Sequence, residues 1–503
     1  WISDDMIAVR ATNRLQLTET LRFYTLSDPE QLSVLVWNRT NDGKWIDTQY
    51  SLLFVSPDSS SPDSLVCVVD IQPFEEGGRY QNIVSYTVPK QGDDIAMDWV
   101  TSEDEDVTSI NGYNEALQLL YFTKAQKPID RSINSIPFSC PSPSQEESQA
   151  IHSGSHYYSA SFSPTSEYYL LANLGNGSAL KVPKYNLYSL SEEDTSVDAK
   201  GGVELEELQN NEDLKDTLED LDLPVREFFD IPSFNDSETQ SATVLLPPGH
   251  GEDRKEEYDM ILKVYGGPGS QTVSRRYSLG YDTYLASTLK MVVGSVDVRG
   301  TGFRGDEFKQ QTYKQLGILE AEDVLAAVKY FKNDKDLQIR KVCVWGWSYG
   351  GFLTAKTLQT DLDGVVDCGV SVAPVTDWRW YDSAYTERYM QVPSSNPDGY
   401  SETSVVLSSL EVFEKKSPSN NNGNINISPN YMLVHGLGDD NVHYQHSAVF
   451  SRELVKNGVT FKAMSYTNDD HSINLPGSSR HIYSLITNFF VDFFGPSRYP
   501  NYY

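Results

Sequence analysis

Lys341-Val342-Cys343-Val344-Trp345-Gly346-Trp347-Ser348-Tyr349-Gly350-Gly351 decides how the second half of this chain reads. The apolar run from Val342 to Trp345 predicts a buried strand, and the glycines after it predict an abrupt turn with a serine at its apex. Phe352-Leu353-Thr354-Ala355-Lys356-Thr357-Leu358 follows, a stretch of good helix formers with no breaker. Small residues on both sides of Ser348 allow a strained elbow that pushes its hydroxyl into the open. An α/β-hydrolase presents its nucleophile in this way, so Ser348 is the candidate nucleophile.

A serine hydroxyl attacks only when a base takes its proton, and α/β-hydrolases supply the helpers in the order Ser, Asp, His. Five of the eight histidines follow Ser348: His435, His443, His446, His471 and His481. His481 opens the periodic apolar segment Ile482 to Phe490 and reads as a helix-end residue. His443 and His446 begin a helix-like stretch that ends near Gly458, and His435 closes the strand Tyr431-Met432-Leu433-Val434, where it reads as a structural partner for backbone groups. His471 differs, because it follows the β-like run Thr460 to Tyr466 and the polar turn Thr467-Asn468-Asp469-Asp470. That places it on a loop at the carboxyl end of a strand, where α/β sheets put their chemistry. The loop His435-Gly436-Leu437-Gly438-Asp439-Asp440-Asn441-Val442 offers two aspartates, one to orient an imidazole and one to form the turn.

These motifs occur with several others in a fixed order. Tyr265-Gly266-Gly267-Pro268-Gly269-Ser270, Asp297-Val298-Arg299-Gly300-Thr301-Gly302, the run Gly346 to Gly351, Ala373-Pro374-Val375-Thr376-Asp377-Trp378, Tyr385-Thr386-Glu387-Arg388-Tyr389-Met390, His435 to Val442 and Asp470-His471-Ser472-Ile473 span residues 240 to 490. Together they resemble the prolyl oligopeptidase family and, within it, the dipeptidyl peptidase IV branch; the last motif is similar to fungal dipeptidyl aminopeptidases. Upstream, Tyr157-Tyr158-Ser159-Ala160-Ser161-Phe162-Ser163 is similar to a propeller strand of that branch. The resemblance implies an α/β-hydrolase catalytic domain with a mostly parallel sheet, preceded by part of a β-propeller. It implies that Ser348 is the nucleophile, Asp439 the triad acid and His471 the general base. It gives Tyr265 and the Tyr349 N–H to the oxyanion hole, and Val375, Trp378, Tyr381, Tyr385, Tyr349 and Val442 to a specificity pocket, with Asn441 contacting substrate backbone. Flat rings and a valine suit a compact pyrrolidine that has no hydrogen to donate. The implied activity is release of amino-terminal X-Pro, or less well X-Ala, dipeptides from polypeptides through an acyl-enzyme. The alternatives are an oligopeptidase or acylaminoacyl peptidase using the same triad, or a non-enzymatic interaction module of the same fold; the complete set of triad residues argues against the latter.

The chain departs from the family in three ways. Val298 stands where many relatives have glycine, and the polar run Ser417 to Asn424 reads as an inserted surface loop. The glutamate pair that binds the substrate amine in the family has no matching motif. Glu75-Glu76 reads as part of a hairpin-like turn and Glu206-Glu207 as part of an acidic linker, Glu192 to Asp222, so neither takes that role. Because the chain begins with Trp1 in strand-like sequence, the expectation is an amino-terminally truncated protein whose missing portion holds half the propeller and the membrane anchor usual in the branch. Residues 1–219 are expected to supply about four blades of short alternating strands, such as Ser51 to Val55 and Leu65 to Val69, and residues 220–503 the peptidase domain.

With 503 residues, of which 39% are hydrophobic and 12% aromatic, the chain has ample material for more than one core. A formal charge of −31 without a basic stripe argues against nucleic-acid binding. No apolar run approaches the roughly 20 residues that cross a bilayer. Glycosylation sequons at Asn38, Asn176, Asn235 and Asn426 suit a glycoprotein of the secretory pathway, on the lumenal side of a Golgi or vacuolar membrane or secreted. Cys343 and Cys368 read as buried thiols on adjacent strands, while Cys67 and Cys140 are free to pair. No cysteine or histidine cluster has metal-ligand spacing and no phosphate loop occurs, so no cofactor is expected. The expected partners are peptide substrates and, as in the branch, a second copy of the chain.

Overall fold

The computed structural model describes residues 6–26, 34–41, 43–47, 52–55, 66–74, 79–88, 95–140, 146–190, 201–251, 257–334, 336–406, 430–500 and 502. Glu75, Glu76, Asn426 and the run Ser417 to Asn424 lie outside the described residues. The chain divides into two compact units, one of residues 1–219 with 274–277 and 303–308, the other of residues 220–273, 278–302 and 309–503.

The first unit contains four antiparallel sheets in chain order: β1–β3 within residues 6–40, β4–β7 within 53–99, β8–β11 within 106–152 and β12–β15 within 158–209. Apolar residues alternate along these strands, so each sheet has a face to bury, and successive sheets share the resulting cores. Val36 and Trp37 pack with Val68 and Tyr86 between the first two sheets, Cys67 and Ile83 with Leu120 and Phe122 between the next two, and Tyr121 with Tyr169 and Leu171 between the last two. Packing of consecutive sheets in this manner is the construction of a propeller. Cys67 and Cys140 form a disulfide.

The stretch expected to be an acidic linker is partly regular structure. Residues 203–209 form β15 (Val203–Gln209), the edge strand of the fourth sheet, and α1 (Glu212–Glu219) follows. All seven residues of β15 are exposed and the pairing with β14 (Lys184–Ser189) is interrupted twice. Val203, Leu205 and Leu208 are the apolar residues of β15, and its three glutamates extend the acidic run that makes this stretch read as a linker. Glu206 and Glu207 therefore stand on a strand, with Glu207 at 3.7 Å from Lys184.

The second unit is built on one sheet of eight strands in the order β16-β17-β19-β18-β20-β21-β22-β23. These are β16 (Val225–Pro232), β17 (Thr239–Leu246), β18 (Tyr258–Lys263), β19 (Val292–Asp297), β20 (Ile339–Trp347), β21 (Cys368–Val372), β22 (Tyr431–Gly436) and β23 (Lys462–Tyr466). β17 pairs antiparallel with both β16 and β19, and the remaining pairs are parallel. β19, β21 and β22 are buried throughout, as strands covered by helices on both faces must be. The covering helices are α2 (Tyr281–Ser287), α3 (Ile318–Asn333), α4 (Tyr349–Thr360), α5 (Ser383–Met390), α6 (Gln445–Lys456) and α7 (Ser478–Phe494). α7 supplies Ile482, Ile486, Phe489, Phe490 and Phe494, spaced as one helical face, to a core that includes Met291, Val293, Val370 and Val434. Cys343 and Cys368 are opposite each other in the β20–β21 register and form a disulfide, where the sequence suggested buried thiols. The strand order reverses at β18, between β19 and β20, the switch point that opens a crevice at the carboxyl ends of such sheets.

Candidate active site

β20 ends at Trp347, Ser348 has φ 61° and ψ −119°, and α4 begins at Tyr349. A left-handed φ is costly for serine, and here it falls on the serine itself and not on its glycine neighbours. The glycines serve a different need. A Cβ on Gly346 would press into the backbone of Gly350 and Val264, one on Gly350 into the Val264 carbonyl, and one on Gly351 would stand 2.7 Å from the Val372 carbonyl. Close approach of three backbone segments therefore demands the G-x-S-x-G-G pattern, and the turn is locked by the Ser348 N–H donating to the Val372 carbonyl at 2.8 Å. Every residue of α4 from Tyr349 to Gln359 is buried, which fixes the elbow from behind.

β22 leads into the loop that carries Asp439. Its Oδ1 accepts the N–H groups of Asn441 and Val442 at 3.0 and 2.9 Å, the side-chain-to-backbone pattern that makes aspartate a turn former. Its Oδ2 accepts from His471 Nδ1 at 2.7 Å and from His435 Nε2 at 3.1 Å. Burial pushes this carboxyl up, but the hydrogen bonds from His435 and His471 outweigh it and hold the group well below the usual carboxylate range. Asp440 is exposed. Because His471 gives its Nδ1 hydrogen to Asp439, its Nε2 carries a lone pair.

His471 follows β23 on a loop organised by Asp469, which accepts the Leu475 N–H at 3.0 Å and the Ser478 hydroxyl at 2.7 Å. Ile473, two residues on, has φ 47° and is wholly buried in the main core, an expensive conformation for a β-branched side chain that packing over-determines. Trp347 Nε1 donates to the His471 carbonyl at 2.8 Å, tying this loop to the residue before Ser348. The other histidines are placed elsewhere. His443 precedes α6 in the open, and His446 is wholly buried, its Nδ1 accepting the Thr376 N–H at 3.0 Å. Burial pushes the His446 imidazole down to about 4. His481 lies in the first turn of α7 against the Tyr466 hydroxyl.

Tyr265 follows β18, is 39% exposed, and its ring centroid lies 6.1 Å from that of Tyr349. Trp378 is the hub of the ring cluster, with centroids of Tyr349, Phe352, Tyr381 and Tyr385 at 5.6, 5.2, 5.9 and 6.0 Å. Tyr381 and Tyr385 are half-buried, while Val375 and Val442 are buried. The Tyr381 hydroxyl donates to Asn441 Oδ1 at 2.8 Å, which directs the amide oxygen at Tyr381 and leaves the amide nitrogen as the free donor. The structure thus brings Ser348, Asp439 and His471 onto loops at the ends of β20, β22 and β23 of one sheet, with Tyr265 after β18. Two residues that sequence reasoning read only structurally, or not at all, also meet the site: His435 shares Asp439 with His471, and Glu320 accepts the Tyr349 hydroxyl at 2.7 Å. His435 was accessible through its own strand-end position, whereas nothing local marks Glu320 beyond a helix-start pattern.

Residues 277–497 match the family model described as the prolyl oligopeptidase family, and residues 1–179 match the dipeptidyl peptidase IV N-terminal region. Residues 277–497 thus form a region of the prolyl oligopeptidase family. It is 34% identical to dipeptidyl peptidase 4 of Trichophyton tonsurans over 98% of its own length and 59% of that protein's, and 32% identical to a probable dipeptidyl peptidase 4 of Aspergillus flavus over 97% and 59%. The crystal structure of Porphyromonas gingivalis dipeptidyl peptidase 4 aligns with a TM-score of 0.80 at 27% identity, covering 97% of this chain and 62% of that one. The chain spans about three fifths of the length of the curated relatives it matches. A propeller followed by an α/β-hydrolase domain is the architecture that the sequence predicted. Among the described residues no helix is long and apolar enough to cross a membrane, and no group of three or more histidine, cysteine or acidic side chains is placed to hold a metal ion.

Proposed function

We propose that the protein carrying this chain is a serine dipeptidyl peptidase that releases amino-terminal X-Pro, or less readily X-Ala, dipeptides. The observation that carries this reading is the Asp439–His471 hydrogen bond at 2.7 Å on the loops that flank the strained Ser348 elbow. Ser348 Oγ attacks the scissile carbonyl and His471 Nε2 takes its proton; Asp439 holds the ring and stabilises the imidazolium. Tyr265 and the Tyr349 N–H face the oxygen on which charge develops, and such donors act mainly in the transition state. The leaving amine takes the proton from His471, and water then releases the dipeptide by the same steps. Val375, Trp378, Tyr381, Tyr385 and Val442 wall an apolar slot for the pyrrolidine, and the free amide of Asn441 takes the substrate's backbone carbonyl. The names of the fungal and bacterial relatives agree with this substrate class.

Localisation and assembly belong to the same proposal. The asparagines of the sequons at Asn38 and Asn235 are exposed, and Asn176 is half-buried, which supports a glycosylated lumenal or secreted protein. A membrane anchor outside these 503 residues and a homodimer complete the reading.

The test is Ser348→Ala in the full-length protein, assayed on a Gly-Pro chromogenic amide. Triad members act as a unit worth about a millionfold in turnover, so hydrolysis should vanish. Turnover within tenfold of the unmutated protein would sink the assignment.

A further inference from the structure

Glu320 occupies the third position of α3 and is wholly buried. Its Oε2 accepts the Gly317 N–H at 2.9 Å, half of a capping box, and a neutral glutamine would cap the helix as well. The other oxygen, Oε1, reaches across to α4 and accepts the Tyr349 hydroxyl at 2.7 Å. Tyr349 is 3% exposed, stands next to Ser348, and its ring lies between Tyr265 and Trp378 at 6.1 and 5.6 Å. Burying a carboxylate without an ion pair is costly unless hydrogen bonds answer it. The groups that face it are Tyr349 from α4, Tyr385 from α5, Asp323 from its own helix and Arg299 from the loop after β19. Arg299 does not neutralise Glu320, because its guanidinium is held by Asp323 at 2.7 and 2.8 Å. The phenol is thus the contact by which this carboxyl reaches the site.

We propose that Glu320 is a positioning residue that sets the Tyr349 ring against Trp378, so that its ionised form holds the pocket wall in the shape a rigid pyrrolidine requires. This rests on the reading of Ser348 as nucleophile and of the ring cluster as its pocket. A hydrogen bond to a charged acceptor is about twice as strong as one between neutral groups, so protonating Glu320 loosens the phenol without removing it. Burial pushes the Glu320 carboxyl up to about 7, against the hydrogen bonds from Gly317 and Tyr349, which brings the switch into the working range. Proline, which fits only the fixed wall, should lose more than alanine when the wall loosens. The preference for proline should therefore rise with pH.

The experiment measures kcat/KM for Gly-Pro and Gly-Ala chromogenic amides from about pH 5.5 to 8.5 on the full-length protein, Glu320→Gln and Tyr349→Phe. Ionisation of the triad is common to both substrates and cancels in their ratio. The expected Pro/Ala ratio climbs roughly fivefold in the unmutated protein and stays flat within about twofold in both variants. A flat ratio in the unmutated protein, or a step that survives in Glu320→Gln, overturns the proposal. Infrared difference spectra between acidic and alkaline samples give a second measurement that needs no turnover. A carboxylic acid carbonyl band absent from Glu320→Gln and displaced in Tyr349→Phe upholds the coupling; an undisplaced band overturns it. If neither amide is cleaved, the peptidase reading falls, and the infrared result alone decides whether Glu320 holds Tyr349.

Discussion

Replacing Asp439 by asparagine removes one charge and changes almost nothing in shape, and the hydrogen bonds around it say what must follow. Four donors converge on the carboxylate: the N–H groups of Asn441 and Val442 on Oδ1, and the imidazoles of His435 and His471 on Oδ2. His435 Nε2 also lies 2.8 Å from the Val442 carbonyl, an acceptor, so this nitrogen carries a hydrogen. An asparagine has one oxygen to offer. If its NH2 takes the Oδ1 place it opposes two backbone N–H groups; if it takes the Oδ2 place it opposes two imidazoles. Each buried donor left unmet costs about 1–3 kcal/mol. The second orientation is cheaper, because His471 can move its hydrogen to Nε2 and accept from the amide, leaving His435 with the Val442 carbonyl. That relief blocks the nitrogen that must take the Ser348 proton, and a wrong tautomer costs serine hydrolases about 10⁴ in turnover. Asp439→Asn should therefore lose about 10⁴-fold in kcat on a Gly-Pro amide together with roughly 2–3 kcal/mol of stability in a denaturant melt. Asp440→Asn, on an exposed neighbour, should change stability by less than about 0.5 kcal/mol and leave kcat near that of the unmutated protein. Turnover of Asp439→Asn within a hundredfold of the unmutated protein, or an equal loss at Asp440, would refute the reasoning.

Two further outcomes follow from the site. Tyr265→Phe deletes a single hydroxyl from a half-exposed ring and should lower kcat by about 100- to 1000-fold with little change in KM, since an oxyanion donor acts mainly in the transition state; a loss under tenfold would remove Tyr265 from the oxyanion hole. Glu320 has a folded value of about 7 above an ordinary 4.5, so the fold favours its protonated form, and the stability this contributes is full below pH 4.5 and lost as pH rises toward 7. At about 1.4 kcal/mol per pH unit the decline is roughly 3 kcal/mol, and denaturant melts of Glu320→Gln should lack it; parallel stability curves for the two proteins would contradict the burial of this carboxyl.

What the sequence made legible was local or followed chain order. The elbow is readable because close backbone approach at Gly346, Gly350 and Gly351 imposes glycine at fixed spacings, and His471 because its loop directly follows a strand. What stayed hidden depends on which strands and helices become neighbours. Cys343 and Cys368 read as thiols on adjacent strands, but only the register of β20 and β21, which sets them face to face, reveals that they pair. His435 looks like any buried strand end until the Asp439 loop folds back over it. β15 alternates only over Val203 to Glu206, and the glutamates around that short pattern make it read as a linker. Glu320 is the most instructive of these. It is passed over in the sequence, because its helix-start position offers only a capping role, and that local role conceals the second oxygen reaching 29 residues ahead to the residue beside Ser348. Helix α3 is thus anchored at its first turn to the elbow of α4, and a substitution that preserved the cap while neutralising the charge would separate the two roles, which no pattern of residues along the chain can do.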